Sequence, residues 1–215
     1  MIKELLAKVS AKQDLTFDEA KQAIDEIMSG EVSEAVISSF LTALAMKGET
    51  EEEIAGAATG MRSKAMEFNI GGHALDIVGT GGDKSNSFNI STTSAFVAAA
   101  AGVTIVKHGN RAASSKCGTA DCLEALGVKI DCEPKVMKKS LDEKNIAFLF
   151  AQKYHSAMRF VGPVRKQIGI RTVFNILGPL TNPGKADRMV LGVFSEEYVE
   201  KIAKALVKIG VTDAM

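Results

Sequence analysis

The chain has 215 residues, 46% apolar, 24% charged and 6% aromatic, which is enough to close one large hydrophobic core or two small ones. Its 26 Lys and Arg balance 26 Asp and Glu, so no global field recruits nucleic acid or an anionic membrane, and any anion site has to be built locally. No stretch approaches the roughly 18 apolar residues of a membrane span, and the opening MIKELLAKVSAKQ has no apolar run ending in a cleavage site, so the expected location is the cytoplasm.

Four segments before residue 70 carry a helical period: Ile2, Leu5, Leu6 and Val9; Phe17, Ala20, Ile24 and Ile27; Val36, Ile37, Phe40, Leu41 and Leu44; and Ile54, Ala57, Ala58, Met61 and Ala65. Thr16 with Glu19 and Thr50 with Glu53 fit capping boxes, and Gly30 and Gly48 stand where the second and third helices should stop. The reading is a small helical domain over 1–70. Gly71-Gly72 follows as a flexible joint or simply a turn.

Beyond it, the runs ALDIV (74–78), VTIVK (103–107), IAFLFA (146–151) and RMVLGVF (188–194) alternate with helical patterns such as TADCLEALG and EEYVEKIAKALVKIG. In the last of these, Tyr198, Val199, Ile202, Leu206 and Ile209 are expected on one face. The expected fold class is α/β: a small all-helical N-terminal domain and a larger domain on a mainly parallel sheet. Such sheets bind ligands at the carboxyl ends of their strands.

The first strand runs into GTGGDKSNSFNIST (79–92). A Walker loop ending at Lys84-Ser85 would need glycine at 78 and 83, where Val78 and Asp83 stand. A dinucleotide fingerprint from Gly79 would need Gly or Ala at Lys84. Both fail. What survives is bare backbone at Gly79, Gly81 and Gly82, then a helix start with Asn89, Ser91 and Thr92 as donors, all suited to an anion. A tight turn capped by Ser or Asn explains the glycines equally well. Asp83 beside a phosphate would be repelled without a cation or ligand hydroxyl between them, which favours a sugar phosphate bound with Mg²⁺.

After the second strand, KHGNRAASSKCGTAD (107–121) gathers Lys107, His108, Arg111 and Lys116 around Gly109 and Gly118, with neutral donors at Asn110, Ser114, Ser115 and Thr119. The mix suits a polyphosphate. The bland alternative is a solvated basic loop. His108 could act as a base, a donor or a packing group. Further on, Arg165 and Arg171 fall on a helix-like segment, and NILGPLTNP (175–183) reads as a stiff apolar loop. The three cysteines, Cys117, Cys122 and Cys132, lack paired metal spacing and read as buried or tolerated thiols.

Together GTGGD (79–83), NIST (89–92), KHGNR (107–111), SSKCGTAD (114–121) and NILGPLTNP (175–183) resemble the anthranilate phosphoribosyltransferases over essentially the whole chain. That family joins anthranilate to phosphoribosyl pyrophosphate (PRPP) in tryptophan biosynthesis, in the cytoplasm. The resemblance implies a nucleoside phosphorylase-type fold with a homodimer through the helical domain. It implies a helical domain of 1–70 joined by about 160–185, and a phosphoribosyl-binding α/β domain of 71–159 and 186–215. It also implies PRPP contacts at Gly79, Gly82, Asp83, Ser87, Asn89, Ile90, Ser91, Thr92, Lys107, His108, Gly109, Asn110, Arg111, Ala112, Ala113, Ser114, Ser115 and Thr119, a Mg²⁺ ligand at Ser91, and anthranilate contacts at Gly79, Asn110 and Arg165. Thr119 stands where the family more often has Ser, and the hydroxyl is kept.

No single catalytic residue is expected, because displacement of pyrophosphate through an oxocarbenium-like state is served by electrostatic holding and positioning. In that family an Asp–Glu pair for a second Mg²⁺ follows the strand that begins near Asp213. The sequence stops at Met215, so the expectation is a C-terminally truncated chain with impaired activity. Two other readings stay open: a pyrimidine nucleoside phosphorylase-like enzyme and a non-catalytic dimerisation fragment.

Overall fold

The computed structural model describes residues 1–81, 87–112 and 117–215, which form two compact units. The first comprises Met1–Ala65, His155–Thr181 and Val199–Ile209; the second comprises Met66–Tyr154, Asn182–Tyr198 and Gly210–Met215.

The first unit is helical. Helices α1 (Ile2–Ser10), α2 (Phe17–Ser29), α3 (Glu34–Lys47) and α4 (Glu51–Ser63) bury most of the apolar stripes read from the sequence; Leu6, Phe17 and Val36 are only half-buried, and Ala65 lies beyond the end of α4. Both capping boxes form: Thr16 accepts from the Glu19 N–H and Thr50 from the Glu53 N–H, while each glutamate reaches back to its cap. Gly30 ends α2 in the left-handed region at φ 83°. The backbones of α2 and α4 approach closely, because a Cβ at Gly56 would overlap the Phe17 carbonyl oxygen.

The 155–181 segment adds α9 (Gly162–Ile168) and α10 (Phe174–Leu180) to this unit, after a single helical turn α8 (Ala151–Tyr154) and a 3₁₀ turn (Ser156–Phe160). The NILGPLTNP stretch is therefore largely helix rather than loop. Phe174, Ile176, Leu177 and Leu180 are buried, and Pro179 is accommodated in the last turn of a seven-residue helix. Helix α11 (Glu197–Lys208) also falls mostly in the helical unit, where the Ile209 carbonyl accepts from Arg62 and Lys208 pairs with Glu52. Its buried stripe is Ile202, Ala205 and Leu206; Val199 is half exposed, unlike the expectation.

The second unit is built on five parallel strands: β1 (Leu75–Gly79), β2 (Ile105–Gly109), β3 (Ile146–Phe150), β4 (Arg188–Gly192) and the short β5 (Asp213–Ala214), in the order β3-β2-β1-β4-β5. Chain order runs outward from β1 to β3 and then restarts on β1's other side, so the topological switch lies between β1 and β4. Helix α5 (Ile90–Ala100) packs Ala95 and Ala99 against Ile77 and Ile105. A separate cluster holds Met137 and Leu141 of α7 (Pro134–Lys144) with Val106, Ala147, Leu149 and Tyr154. A third cluster joins Ala120 and Leu123 of α6 (Thr119–Ala125) to Phe148 and Phe150. The crossing between units falls at Ala65–Met66, and Gly71, with φ 76°, makes its turn inside the α/β unit.

Candidate functional site

The seam between β1 and β2 is unlike its neighbours. The β1–β4 and β2–β3 pairs run in register over five residues, whereas β1 and β2 register only at Leu75–Ile105. Toward the carboxyl ends, side chains take over the hydrogen bonding. Asp76, fully buried, accepts from the His108 N–H (3.4 Å) and from Asn182 Nδ2 (2.8 Å). The same Asn182 amide donates to the Val106 carbonyl (2.8 Å), and its Oδ1 accepts from the Gly184 N–H. Lys107, 3% exposed, donates its ammonium to the Ile77 carbonyl. Buried backbone groups that lack a ladder partner have to be paired in some other way, and three polar side chains do it here.

Burial sets the charges of this floor. It pushes the Asp76 carboxyl up to about 6, an effect only partly offset by Lys107 and by the Asn182 and backbone hydrogen bonds. It pushes the Lys107 ammonium down, with Asp76 opposing.

Above the floor, Gly79 and Gly109 end β1 and β2, and Gly192 ends β4. Gly79 lies opposite Gly192, and a Cβ at Gly79 would come no closer than 3.5 Å to it, so packing does not demand glycine there. The Thr80 N–H donates to the Gly192 carbonyl (2.9 Å), and the Thr80 hydroxyl accepts from the Phe194 N–H (3.0 Å), clasping the two strand ends. Helix α5 starts at Ile90 with Asn89 as its cap residue, and its first turn offers N–H groups beside the Ser91 and Thr92 hydroxyls. Thr92 meets Thr119 of α6 hydroxyl to hydroxyl at 3.3 Å. Gly109 packs beneath Thr119, where an added Cβ would sit 3.2 Å from the Thr119 Cβ.

The second loop is closed by Asp121, whose Oδ2 accepts from the Ala112 and Gly118 N–H groups, both at 2.8 Å. Arg111 pairs with Glu124 and Asp121 and lies over the Phe150 ring, so its guanidinium is already held by carboxylates. Asn110 is exposed; its side chain accepts from the Arg111 N–H and its backbone carbonyl from the Ala120 N–H. Ser87 and Ile90 are exposed, Ala112 is half-buried and His108 is buried. Gly82 and Asp83 of the first loop and Ala113, Ser114 and Ser115 of the second lie outside the described residues.

Arg165 belongs to the helical unit, in the last turn of α9. Its guanidinium stands 5.6 Å from the Phe174 ring centroid, burial pushes its pKa down, and among the described residues no carboxylate pairs with it. A largely desolvated cation stacked on an aromatic face suits a ligand carboxylate. Arg171 lies beyond the helix end at Gly169.

For Mg²⁺, the described candidate is the half-buried Ser91. Among the described residues no group of three or more His, Cys, Asp or Glu could hold a metal.

Sequence reasoning missed Asp76, Asn182, Asp121 and the Thr80–Gly192 clasp. A signal existed for the first: a carboxylate inside the apolar run ALDIV needs a buried partner.

Comparison with known proteins is consistent with this architecture. Over its full length the chain is 54% identical to an anthranilate phosphoribosyltransferase of Lachnoclostridium phytofermentans and 56% identical to one of Lacticaseibacillus casei, spanning 64% and 63% of those proteins. Among solved structures, anthranilate phosphoribosyltransferase from Thermus thermophilus superposes with a TM-score of 0.92 at 47% identity, covering 96% of this chain and 63% of that one. The Saccharomyces cerevisiae enzyme in complex with PRPP and Mg superposes with a TM-score of 0.88 at 32% identity, covering 98% and 64%. The chain thus spans a little under two thirds of the length of these relatives. Residues 3–65 match the helical bundle domain of the glycosyl transferase family and residues 71–215 match its a/b domain, so the chain belongs to the glycosyl transferase family.

Proposed function

We propose that this chain binds PRPP with Mg²⁺ and transfers its phosphoribosyl group to the amino group of anthranilate, releasing pyrophosphate. The observation that carries the reading is the gathering of Gly79, Lys107, Thr92 and Thr119 at the carboxyl ends of β1 and β2, where bare backbone, hydroxyls and a buried ammonium stand together. The names of the relatives support the choice of substrates.

In this reading Gly79, Ser87, Asn89–Thr92, Lys107–Ala112 and Thr119 face PRPP, together with Gly82, Asp83 and Ala113–Ser115. Ser91 assists Mg²⁺, whose chemistry when bound is to neutralise the charge on the departing pyrophosphate. Gly79, Asn110 and Arg165 receive anthranilate, Arg165 by its carboxylate. Bond breaking at the anomeric carbon builds positive charge on the ribose and negative charge on the leaving group. Donors fixed in place stabilise that separation, and no side chain is assigned as general base.

A cytoplasmic homodimer formed through the helical unit belongs to the same proposal. Met1 and Met46 are exposed apolar groups on that unit, and sedimentation of Met46→Glu against the parent chain tests it.

The substrates are tested by calorimetric titration of the 215-residue chain with PRPP and Mg²⁺, and by anthranilate fluorescence in the presence of pyrophosphate. Saturable binding of both is expected. Binding of a pyrimidine nucleoside and phosphate, with none of PRPP, would replace this reading with the phosphorylase one.

A further inference from the structure

The split β1–β2 seam holds two buried charges that do not pair directly. Asp76 sits on β1 and takes a hydrogen bond from the backbone of β2 at His108; Lys107 sits on β2 and gives one to the backbone of β1 at Ile77. Each grips the other strand. Residues alternate between faces along a strand. Asp76 therefore shares a face with Val78, while Ile77 and Ile105, packed with α5, share theirs with Lys107.

Asn182 completes the arrangement by bridging the Asp76 carboxylate and the Val106 carbonyl. With Asp76 and Asn182 occupying the seam, the Ile77 carbonyl is left for the Lys107 ammonium, two residues short of Gly79. Lys107 is the one charged group that acts appreciably on Asp76, and Asp76 the one that acts on Lys107, among the described residues. Without Asp76, the ammonium would be desolvated with no countercharge among the described residues.

We infer that Asp76 is a positioning residue for anion binding: lodged in the seam by Asn182, it frees the Ile77 carbonyl to orient Lys107 and supplies the countercharge that keeps Lys107 protonated. The inference rests on Lys107 facing the phosphate side of PRPP. It assigns Asp76 no contact with ligand, and it gives Asn182 the task of fixing the carboxylate.

Inorganic pyrophosphate is the probe, titrated calorimetrically into the parent chain, Lys107→Met and Asp76→Asn between pH 6.5 and 9. Taking the ratio of parent to variant affinity at each pH removes the titration of pyrophosphate itself. For Asp76→Asn the ratio should grow about tenfold or more toward pH 9, as Lys107 loses its proton at lower pH in the variant than in the parent. A purely structural role would offset the affinity equally at every pH.

If Lys107→Met binds pyrophosphate like the parent chain, the placement of Lys107 fails and the inference falls with it. If Lys107→Met loses affinity but the Asp76→Asn ratio stays flat, the inference alone is overturned. Should Asp76→Asn fail to fold, ¹³C NMR titration of Lys107 in the parent chain decides. A Lys107 that titrates like a free lysine, unmoved when Asp76 ionises, would overturn the proposal; one that responds to Asp76 supports it.

Discussion

Each unit buries a lysine near a carboxylate, and the two do opposite things. In the helical unit Lys47 touches Glu53 at 2.9 Å and Asp14 at 2.7 Å, and Glu53 also accepts from the Leu15 and Thr50 N–H groups, so every group is closed on another. Burial works against the Lys47 charge, yet the hydrogen bonds to Asp14 and Glu53 prevail and its pKa is raised. In the α/β unit Lys107 and Asp76 meet through backbone, and burial prevails, so the Lys107 pKa is lowered. A direct pair is scaffold. A pair held apart by the chain leaves a cation for the anion site proposed above.

The largest break in this comparison is Glu53→Ala. It takes away one of the two carboxylates that hold a buried ammonium and strands two backbone donors, and should destabilise the helical unit by about 3–5 kcal/mol, read as a lowered urea midpoint. Lys107→Ala should cost less stability, because it strands the Ile77 carbonyl but leaves Asp76 able to take up a proton, and it should weaken PRPP by about 1.5–3 kcal/mol, the range for a lost charge-assisted hydrogen bond. An unchanged calorimetric dissociation constant would remove Lys107 from the site.

Glycines draw the same line. Gly56→Ala drives a Cβ into the Phe17 carbonyl and should cost about 1–3 kcal/mol of stability. Gly79→Ala meets nothing closer than 3.5 Å among the described residues, so its urea midpoint should hold while PRPP binding falls. Equal stability losses in the two variants would show that Gly79 is structural. Arg165→Ala should weaken anthranilate about tenfold and leave PRPP nearly untouched. Fluorescence and calorimetry on one preparation would separate that from a general loss.

The helical unit was the more legible of the two because its signals are local. Thr16, Glu19, Thr50 and Glu53 cap helices within three residues of one another, and the structure forms those very bonds. The strands were legible as runs but not in phase. VTIVK suggested 103–107, whereas β2 spans Ile105–Gly109, because Val103 stays 39% exposed and the buried positions continue into Lys107 and His108. An apolar count cannot anticipate a strand whose carboxyl end buries polar groups. Asp76 is hidden for the same reason, since its partner Asn182 lies 106 residues away. Proline in NILGPLTNP suggested a loop, but burial of four apolar side chains outweighs one lost helical hydrogen bond near a helix end.

The smallest net effect should come from acidification, where the two units pull against each other. His155, in the helical unit, is pushed down to about 4 by burial, with the Arg62 charge adding to it and a hydrogen bond involving Thr181 opposing. Between pH 6.5 and about 4 the unfolded chain takes up a proton that native His155 resists, so stability falls as pH drops. Asp76, in the α/β unit, is raised to about 6 from 3.8. Across that window the native state takes the proton first, so stability rises as pH drops. Each contribution is on the order of 3 kcal/mol, and between about pH 6 and 4 they largely cancel. Removing one should expose the other: relative to the parent chain, Asp76→Asn should lose urea stability steeply from pH 6 to 4, whereas His155→Gln should gain it. If both variants track the parent midpoint across that range, neither group is held away from its ordinary titration, and burial in the two units does not set these charges as argued.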